Sequence, residues 1–198
     1  MSIASVFCCV RNCFDGTGFN VKHVSKQEVS PIVLDSTHIG HDVVILKKGT
    51  RICGAGGALC TAPLMQSKSY FEVKLQQAGV WGIGVATKKC NLNKSPGGCD
   101  SESWVYCSDG TMKQNDTVVH MNIETPAEGD IIGVTYDHIE LKFYINGKVI
   151  DKHMNGIKGN VYPVIFVDDG AVLDLIVEDF QNSQPTGFER IMIEQSLL

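Results

Sequence analysis

The strongest periodicity along the chain is two. In Ile139-Glu-Leu-Lys-Phe-Tyr-Ile145 the residues Ile139, Leu141, Phe143 and Ile145 share one face while Glu140 and Lys142 share the other, which predicts a half-buried strand. Asn146-Gly147 follows at once. This pair suits positive φ at both central positions of a type I′ turn, so a tight hairpin into Lys148-Val149-Ile150 is expected. The same pattern predicts strands at Tyr70–Leu75, with Phe71, Val73 and Leu75 inward, and at Ala171–Val177, with Leu173, Leu175 and Val177 inward. Asp130–Asp137, Val161–Val167 and Pro31–Asp35 add three more, and Asp42–Leu46 ahead of Gly49 reads as the first arm of another hairpin. Pro163 inside its run predicts an edge strand or a bulge at that point. Many short strands separated by Gly, Asn and Asp, with no strand–helix alternation, predict an all-β fold of two packed antiparallel sheets.

One strand is unusual for what it lacks. In Val80-Trp-Gly-Ile-Gly-Val-Ala86 the bulky Trp81, Ile83 and Val85 share a face, and Gly82, Gly84 and Ala86 leave the other nearly bare. Glycine in a strand costs conformational entropy, so the bare face is expected to admit another side chain or backbone, or else a ligand. Two long irregular stretches, Thr87 to Ser103 and Met121 to Gly129, lie between strands, where binding residues are often found. Phe188–Glu194 fits a short helix or a closing strand equally well. Without repeats or linkers the chain reads as one domain over residues 23–182. Residues 1–22 form a Cys-containing appendage and residues 183–198 a tail that packs on or closes the sandwich.

Seventeen Lys and Arg stand against 22 Asp and Glu, a net charge of -5, and the basic residues are scattered singly or in pairs. Nothing tracks a phosphate backbone, so nucleic acid is not an expected partner. No run of about 20 apolar residues is present to span a bilayer. Eight cysteines would allow four disulfides, but Met1–Val10 lacks a basic leader, and its apolar run is short. Reduced thiols and a cytoplasmic address are therefore expected, with Asn93-Lys94-Ser95 and Asn115-Asp116-Thr117 as chance glycosylation triplets. The thiols Cys8, Cys9 and Cys13 beside apolar residues are candidates for reversible acylation, the one route to a membrane that the sequence suggests. Ser2 excludes myristoylation.

Candidate chemistry thins out on inspection. Gly82-Ile-Gly84 and Gly54-Ala-Gly56-Gly57 lack the third spaced glycine and the following helix of a dinucleotide fingerprint, and no Gly-Lys-Ser/Thr phosphate loop occurs. The cysteines lack the paired spacing of a zinc site, and His38 and His41 read as turn residues, so no metal or other cofactor is expected. No Gly-x-Ser-x-Gly elbow or marked Cys–His pair supplies a nucleophile, and the chain is not read as an enzyme. Asp168-Asp169-Gly170 between two apolar runs fits a tight turn better than an acid/base pair, because neighbours on a strand point to opposite faces.

Six segments in order, Tyr70–Val73, Trp81–Thr87, Ser103–Tyr106, Gly129–Gly133, Leu141–Gly147 and Val161–Val164, resemble the SPRY (B30.2-like) domain. That domain is the concanavalin-like β-sandwich of ubiquitin-ligase adaptors, ryanodine receptors and tripartite-motif proteins. The resemblance extends from near Pro31 to Phe180. It implies a bent sandwich without cofactor that binds a partner protein or peptide by loops at one rim. Adaptor relatives place contacts before the glycine-rich strand, on the loop after it and on the turn after the Tyr-Pro strand. By position these are Gly79 and Val80; Asn91, Leu92, Asn93, Pro96, Gly97 and Gly98; and Val167, Asp168 and Asp169. The adaptors carry an aromatic residue where this chain has Asp168 or Asp169, so a partner with a basic or hydrogen-bond-donating group suits this turn. Such a module is expected to act as a monomer. A lectin-like sandwich is the competing reading, against which the loops offer Asp and Asn but few aromatic platforms.

Overall fold

Fourteen strands organise residues 31–193, the part of the chain described by the computed structural model. They are β1 (Leu34–Ile39), β2 (Asp42–Leu46), β3 (Arg51–Cys60), β4 (Ser69–Gln77), β5 (Val80–Ala86), β6 (Ser103–Cys107) and β7 (Met112–Gln114). The remainder are β8 (Thr117–His120), β9 (Ile131–Tyr136), β10 (Glu140–Ile145), β11 (Lys148–Asn155), β12 (Tyr162–Asp168), β13 (Val172–Ile176) and β14 (Glu189–Arg190). The hairpin turns form where the sequence supplies residues that tolerate positive φ. Asn146 and Gly147 (φ 49° and 80°) join β10 to β11, and Asp169 and Gly170 (φ 46° and 79°) join β12 to β13.

Two antiparallel sheets share β3. One runs β11-β10-β9-β4-β13-β3-β2 and the other β1-β3-β12-β5-β6-β7-β8. The first half of β3 pairs with β2 and, at Ile52, with Leu173 of β13; the second half pairs with β12, Gly57 facing Phe166. The strand crosses from sheet to sheet at Gly54–Gly57. A Cβ on Gly54 would lie 2.2 Å from the Asp42 carbonyl oxygen, so only glycine fits this corner. Between the sheets lie Ile52, Phe71, Val73, Leu75, Trp81, Ile83, Val85, Phe143 and Leu173. Trp81 and Tyr106 meet edge to face at 5.4 Å between ring centroids.

Part of each outer face is covered. Residues 87–102 fold over the β3-β12-β5-β6 face, closing a second apolar cluster around Phe166, Val164, Leu59, Val105 and Cys107. On the other sheet Tyr70 and Glu72 are buried although their alternation suggested a wet face. Phe180 meets Tyr70 edge to face at 4.9 Å between ring centroids, and the backbone amides of Gln181 and Asn182 donate to the Glu72 carboxylate at 2.7 and 3.0 Å.

Several expectations are corrected. Ile139 is 71% exposed, because Asp137 accepts the amides of Ile139 and Glu140 in a turn that delays β10 by one residue. Pro163 lies in the interior strand β12, not at an edge; the ladder with β3 starts only at Val164, one residue later, which spares the missing amide. The first strand begins at Leu34 instead of Pro31, and His38 belongs to that strand, its Nδ1 2.8 Å from Asp35 Oδ2. Val177 falls one residue past β13 and packs half-buried on the core. Glu189–Arg190, left open between helix and strand, pairs parallel with Ser69–Tyr70. Cys8, Cys9 and Cys13 lie outside the described residues.

Candidate rim site

The antiparallel pairing of β5 with β12 sets Val80 opposite Asp168 and Gly82 opposite Phe166. Alternate residues share a face, so Asp168 lies on the outer side with Phe166, while Val167 turns into the inter-sheet core and is 0% exposed. The turn that follows is closed by the Ala171 amide donating to the Asp168 carbonyl at 3.0 Å. The Asp169 amide donates to Asp168 Oδ1 at 2.8 Å, leaving Oδ2 as a further acceptor. Gly79 packs against this turn, its hypothetical Cβ 2.6 Å from the Asp169 carbonyl oxygen. Two of the three segments picked out by sequence are therefore in contact.

The third segment arrives by a different route. Its middle is tied to the top of β3, where the Gly57 amide donates to the Leu92 carbonyl at 2.7 Å and the His41 amide donates to Asn93 Oδ1 at 2.8 Å. Asn91 braces the loop from within by accepting the Asn93 amide on its Oδ1 and donating its own amide to Asp100. The Pro96 carbonyl then sits over Gly82, where a Cβ would lie 1.8 Å away, and Gly97 packs on the Phe166 ring. The space left bare on β5 is thus taken by backbone, from the chain's own loop at Gly82 and from Trp104 of β6 at Gly84. Because Pro96 and Gly97 cover the residue pair next to Val80/Asp168, all three segments form one continuous surface.

Within that surface Asn91, Asn93 and Asp169 are exposed, and Gly79, Val80, Leu92, Pro96 and Asp168 are half-buried. Gly97, Gly98 and Val167 are buried and offer no side chain to a partner. The glycines are needed to pass the loop close over Phe166 and Lys113, and Val167 has the wrong parity on its strand. Sequence reading missed Glu128, whose Oε1 accepts the Ala78 amide at 2.8 Å, and Ser108-Asp109, tied to Trp81 by the Ser108 amide and hydroxyl. These residues reach the rim from 27 to 50 positions away, and no local pattern marks them.

Electrostatically the rim is acidic. Burial works against ionisation of Asp109, but hydrogen bonds from Thr111 and Lys113 outweigh it and hold its carboxyl below the usual range. Among the described residues Asp168, Asp169 and Glu128 form no ion pair. The surface joins carboxylates to backbone amides and carbonyls, a set suited to receiving hydrogen-bond donors. The buried thiols of Cys90 and Cys107 sit elsewhere, under the loop, where burial pushes each up to about 12, far from a reactive thiolate. Among the described residues no group of three or more His, Cys, Asp or Glu side chains is placed to hold a metal ion. Two open clefts, of about 310 and 290 Å³, lie along β11 and share none of the rim residues named above.

Comparison with known proteins gives a consistent picture. The SPRY domain family model matches residues 68–179. The chain is 50% identical to SPRY domain-containing protein 7 of Bos taurus and 49% identical to that of Homo sapiens, with 98% of each chain covered in both cases. Among solved structures it is similar to the TRIM65 PSpry domain (TM-score 0.61, 14% identity, 74% of this chain and 92% of that one). It is also similar to the SPRY domain of human HERC1 (TM-score 0.63, 12% identity, 75% and 99%). At these identities the structures speak to the fold alone.

Proposed function

The chain belongs to the SPRY domain family, which generally mediates protein–protein interaction, and from that premise we propose a non-catalytic, monomeric module that takes a segment of a partner protein at this rim. The observation that carries the reading is the half-buried junction of Val80 with Asp168, flanked by Pro96 and Gly97 over the neighbouring Gly82/Phe166 pair. Asp168 and Asp169 receive a cationic or donor group of the partner, Val80 and Pro96 supply apolar contact, and Asn91 and Asn93 add polar contacts at the margin. Reversible acylation of Cys8, Cys9 and Cys13 belongs to the same reading as a means of concentrating the module at a membrane; release of thioester-linked lipid by hydroxylamine tests it.

The experiment is quantitative capture of partners from cell extract with the unmodified chain and with Asp168→Ala/Asp169→Ala. Exposed turn carboxylates contribute little to folding, so the variant should melt like the parent. Its captured partner should bind more weakly by roughly 1–3 kcal/mol, the worth of a desolvated charged hydrogen bond. Phe143→Ala serves as the unfolding control, since that ring is wholly buried. A partner held at unchanged affinity by the folded double variant removes both carboxylates from the site.

A further inference from the structure

Two Asn-Gly pairs stand in the chain, Asn146-Gly147 just before β11 and Asn155-Gly156 at its end. Asparagine is a labile residue, and before glycine it is at its most exposed to loss of the side-chain amide. The backbone nitrogen of the next residue attacks the side-chain carbonyl carbon, and glycine puts no Cβ in the way. Both asparagines face solvent. Exposure therefore does not separate them, but the bonds around each pair do.

Asn146 is held at both ends of its amide. Its Nδ2 donates to Asp130 Oδ1 at 2.8 Å and its Oδ1 accepts the Ile131 amide at 2.9 Å, while its own backbone amide donates to the Ile131 carbonyl at 2.9 Å. A Cβ on Gly147 would lie 3.3 Å from Asn182 Oδ1, so the turn is also packed from outside. Swinging the Asn146 side chain onto the Gly147 nitrogen would break both side-chain bonds and take the acceptor from the Ile131 amide.

Asn155 has none of these restraints. Among the described residues its side chain makes no hydrogen bond, the Gly156 amide donates to no acceptor, and a Cβ on Gly156 would meet nothing within 4 Å. Asn155 is the last residue of β11, paired with Glu140, and no regular structure follows until β12. It lines an open cleft with His120, Asp151, Lys152 and His153, so water has access to it.

We propose that Asn155-Gly156 is a self-modification site, where the Gly156 nitrogen closes on the Asn155 side chain to give a succinimide that water opens to aspartate and isoaspartate. The bond from the Gly156 nitrogen to Asn155 Cγ forms and the Cγ–Nδ2 bond breaks. The Gly156 N–H proton leaves with the amide nitrogen as ammonia, and a water molecule is consumed in the opening, so no oxidant or reductant is needed. Either product puts a carboxylate opposite Glu140, which already holds Lys142 at 2.5 Å and lies 3.5 Å from His153. Like charges at facing positions loosen a ladder. Isoaspartate also adds a methylene to the main chain next to the buried Met154. The end of β11 is therefore weakened, together with the His153 carbonyl that bonds His120 of β8 at 2.9 Å.

The test incubates the full chain, folded, at physiological temperature and mildly alkaline pH. Trypsin then releases the two pairs separately, in Phe143–Lys148 and His153–Lys158. Peptide mass against an unincubated digest reads amide-to-acid conversion, and enzymatic carboxyl methylation counts isoaspartate. Conversion is expected at Asn155 and not at Asn146. In urea both should convert at similar rates, which assigns the difference to the fold. Asp130→Ala should bring on conversion of Asn146 in the folded chain, and Asn155→Gln should abolish isoaspartate in the second peptide. Asn155→Asp should raise amide exchange at Met154, the sign of a loosened strand end. Asn155 that survives in the folded chain for as long as Asn146, or equal loss of the two, overturns the proposal. Partner capture by Asn155→Gln should match the parent, so this inference and the rim reading fail separately.

Discussion

Replacing Glu72 by alanine should uncouple the C-terminal segment from the sandwich. The carboxylate is wholly buried and accepts four hydrogen bonds: from the Tyr70 hydroxyl at 2.8 Å, the amides of Gln181 and Asn182 at 2.7 and 3.0 Å, and Asn182 Nδ2 at 3.1 Å. Each is a bond to a charged group, worth roughly 1.5–3 kcal/mol alone, but the four share one desolvation cost and do not add. Truncation leaves the neutral donors of Tyr70, Gln181 and Asn182 without an acceptor, at about 1–3 kcal/mol for each that water does not reach, so a total of about 3–5 kcal/mol is expected. For a domain of this size that lowers the melting temperature by roughly 6–20 °C. Glu72→Gln is the finer probe. Its oxygen can keep the three donors that converge on Oε1, while its amide faces the Gln181 N–H as donor against donor, for a loss of about 1–3 kcal/mol. Urea unfolding gives the energies, and amide exchange of Gln181 and Asn182 reports whether the segment is released. A Glu72→Ala variant within about 1 kcal/mol of the parent, or one with unchanged exchange at those amides, would refute the idea that this carboxylate holds the segment down.

Asp174 accepts from Arg51 Nε and Nη2, Lys47 Nζ and Gln76 Nε2, at 2.5 to 3.0 Å. Burial opposes its ionisation, yet those bonds prevail and its carboxyl is held below the usual range. Its stabilisation is thus present above the unfolded carboxyl value of about 3.9 and is lost as pH falls through the lower folded value. Asp174→Asn should cost about 1–3 kcal/mol at neutral pH and progressively less in acid; a pH-independent difference would contradict the assignment. Gly82→Ala drives a Cβ to 1.8 Å from the Pro96 carbonyl, so it should destabilise by at least about 1–3 kcal/mol and increase exchange across residues 94–98. Gly82→Ala that melts like the parent would mean the loop does not rest on β5. Native alkylation near pH 8 should spare Cys60, Cys90 and Cys107, which burial keeps protonated, while the half-buried Cys53 and Cys99 react first. Mass mapping with and without denaturant decides this, and early labelling of Cys90 would show that the loop above it opens.

The chain's local chemistry determined a good deal by itself. Period-two alternation located β4, β9, β10, β12 and β13, because a residue's face on a strand follows from parity alone. Asn146-Gly147 and Asp169-Gly170 fixed their turns, because few residues tolerate the required positive φ. The absence of side chains at Gly82 and Gly84 announced that something must approach that face. Only the tertiary structure decided what approached: the Pro96 carbonyl of the loop at Gly82 and the Trp104 carbonyl of β6 at Gly84, which no local pattern around β5 encodes. It also decided that Pro163 could sit in an interior strand, since the register with β3 begins one residue too late to need its amide. The buried carboxylate of Glu72, the acidic company of Glu128 at the rim and the hydrogen bonds of Gln66 to Arg190 and Met192 likewise depend on residues far apart in the chain. Alternation specifies which side of a strand is apolar. Whether that side or its opposite finally meets water is set by what long-range packing lays over it.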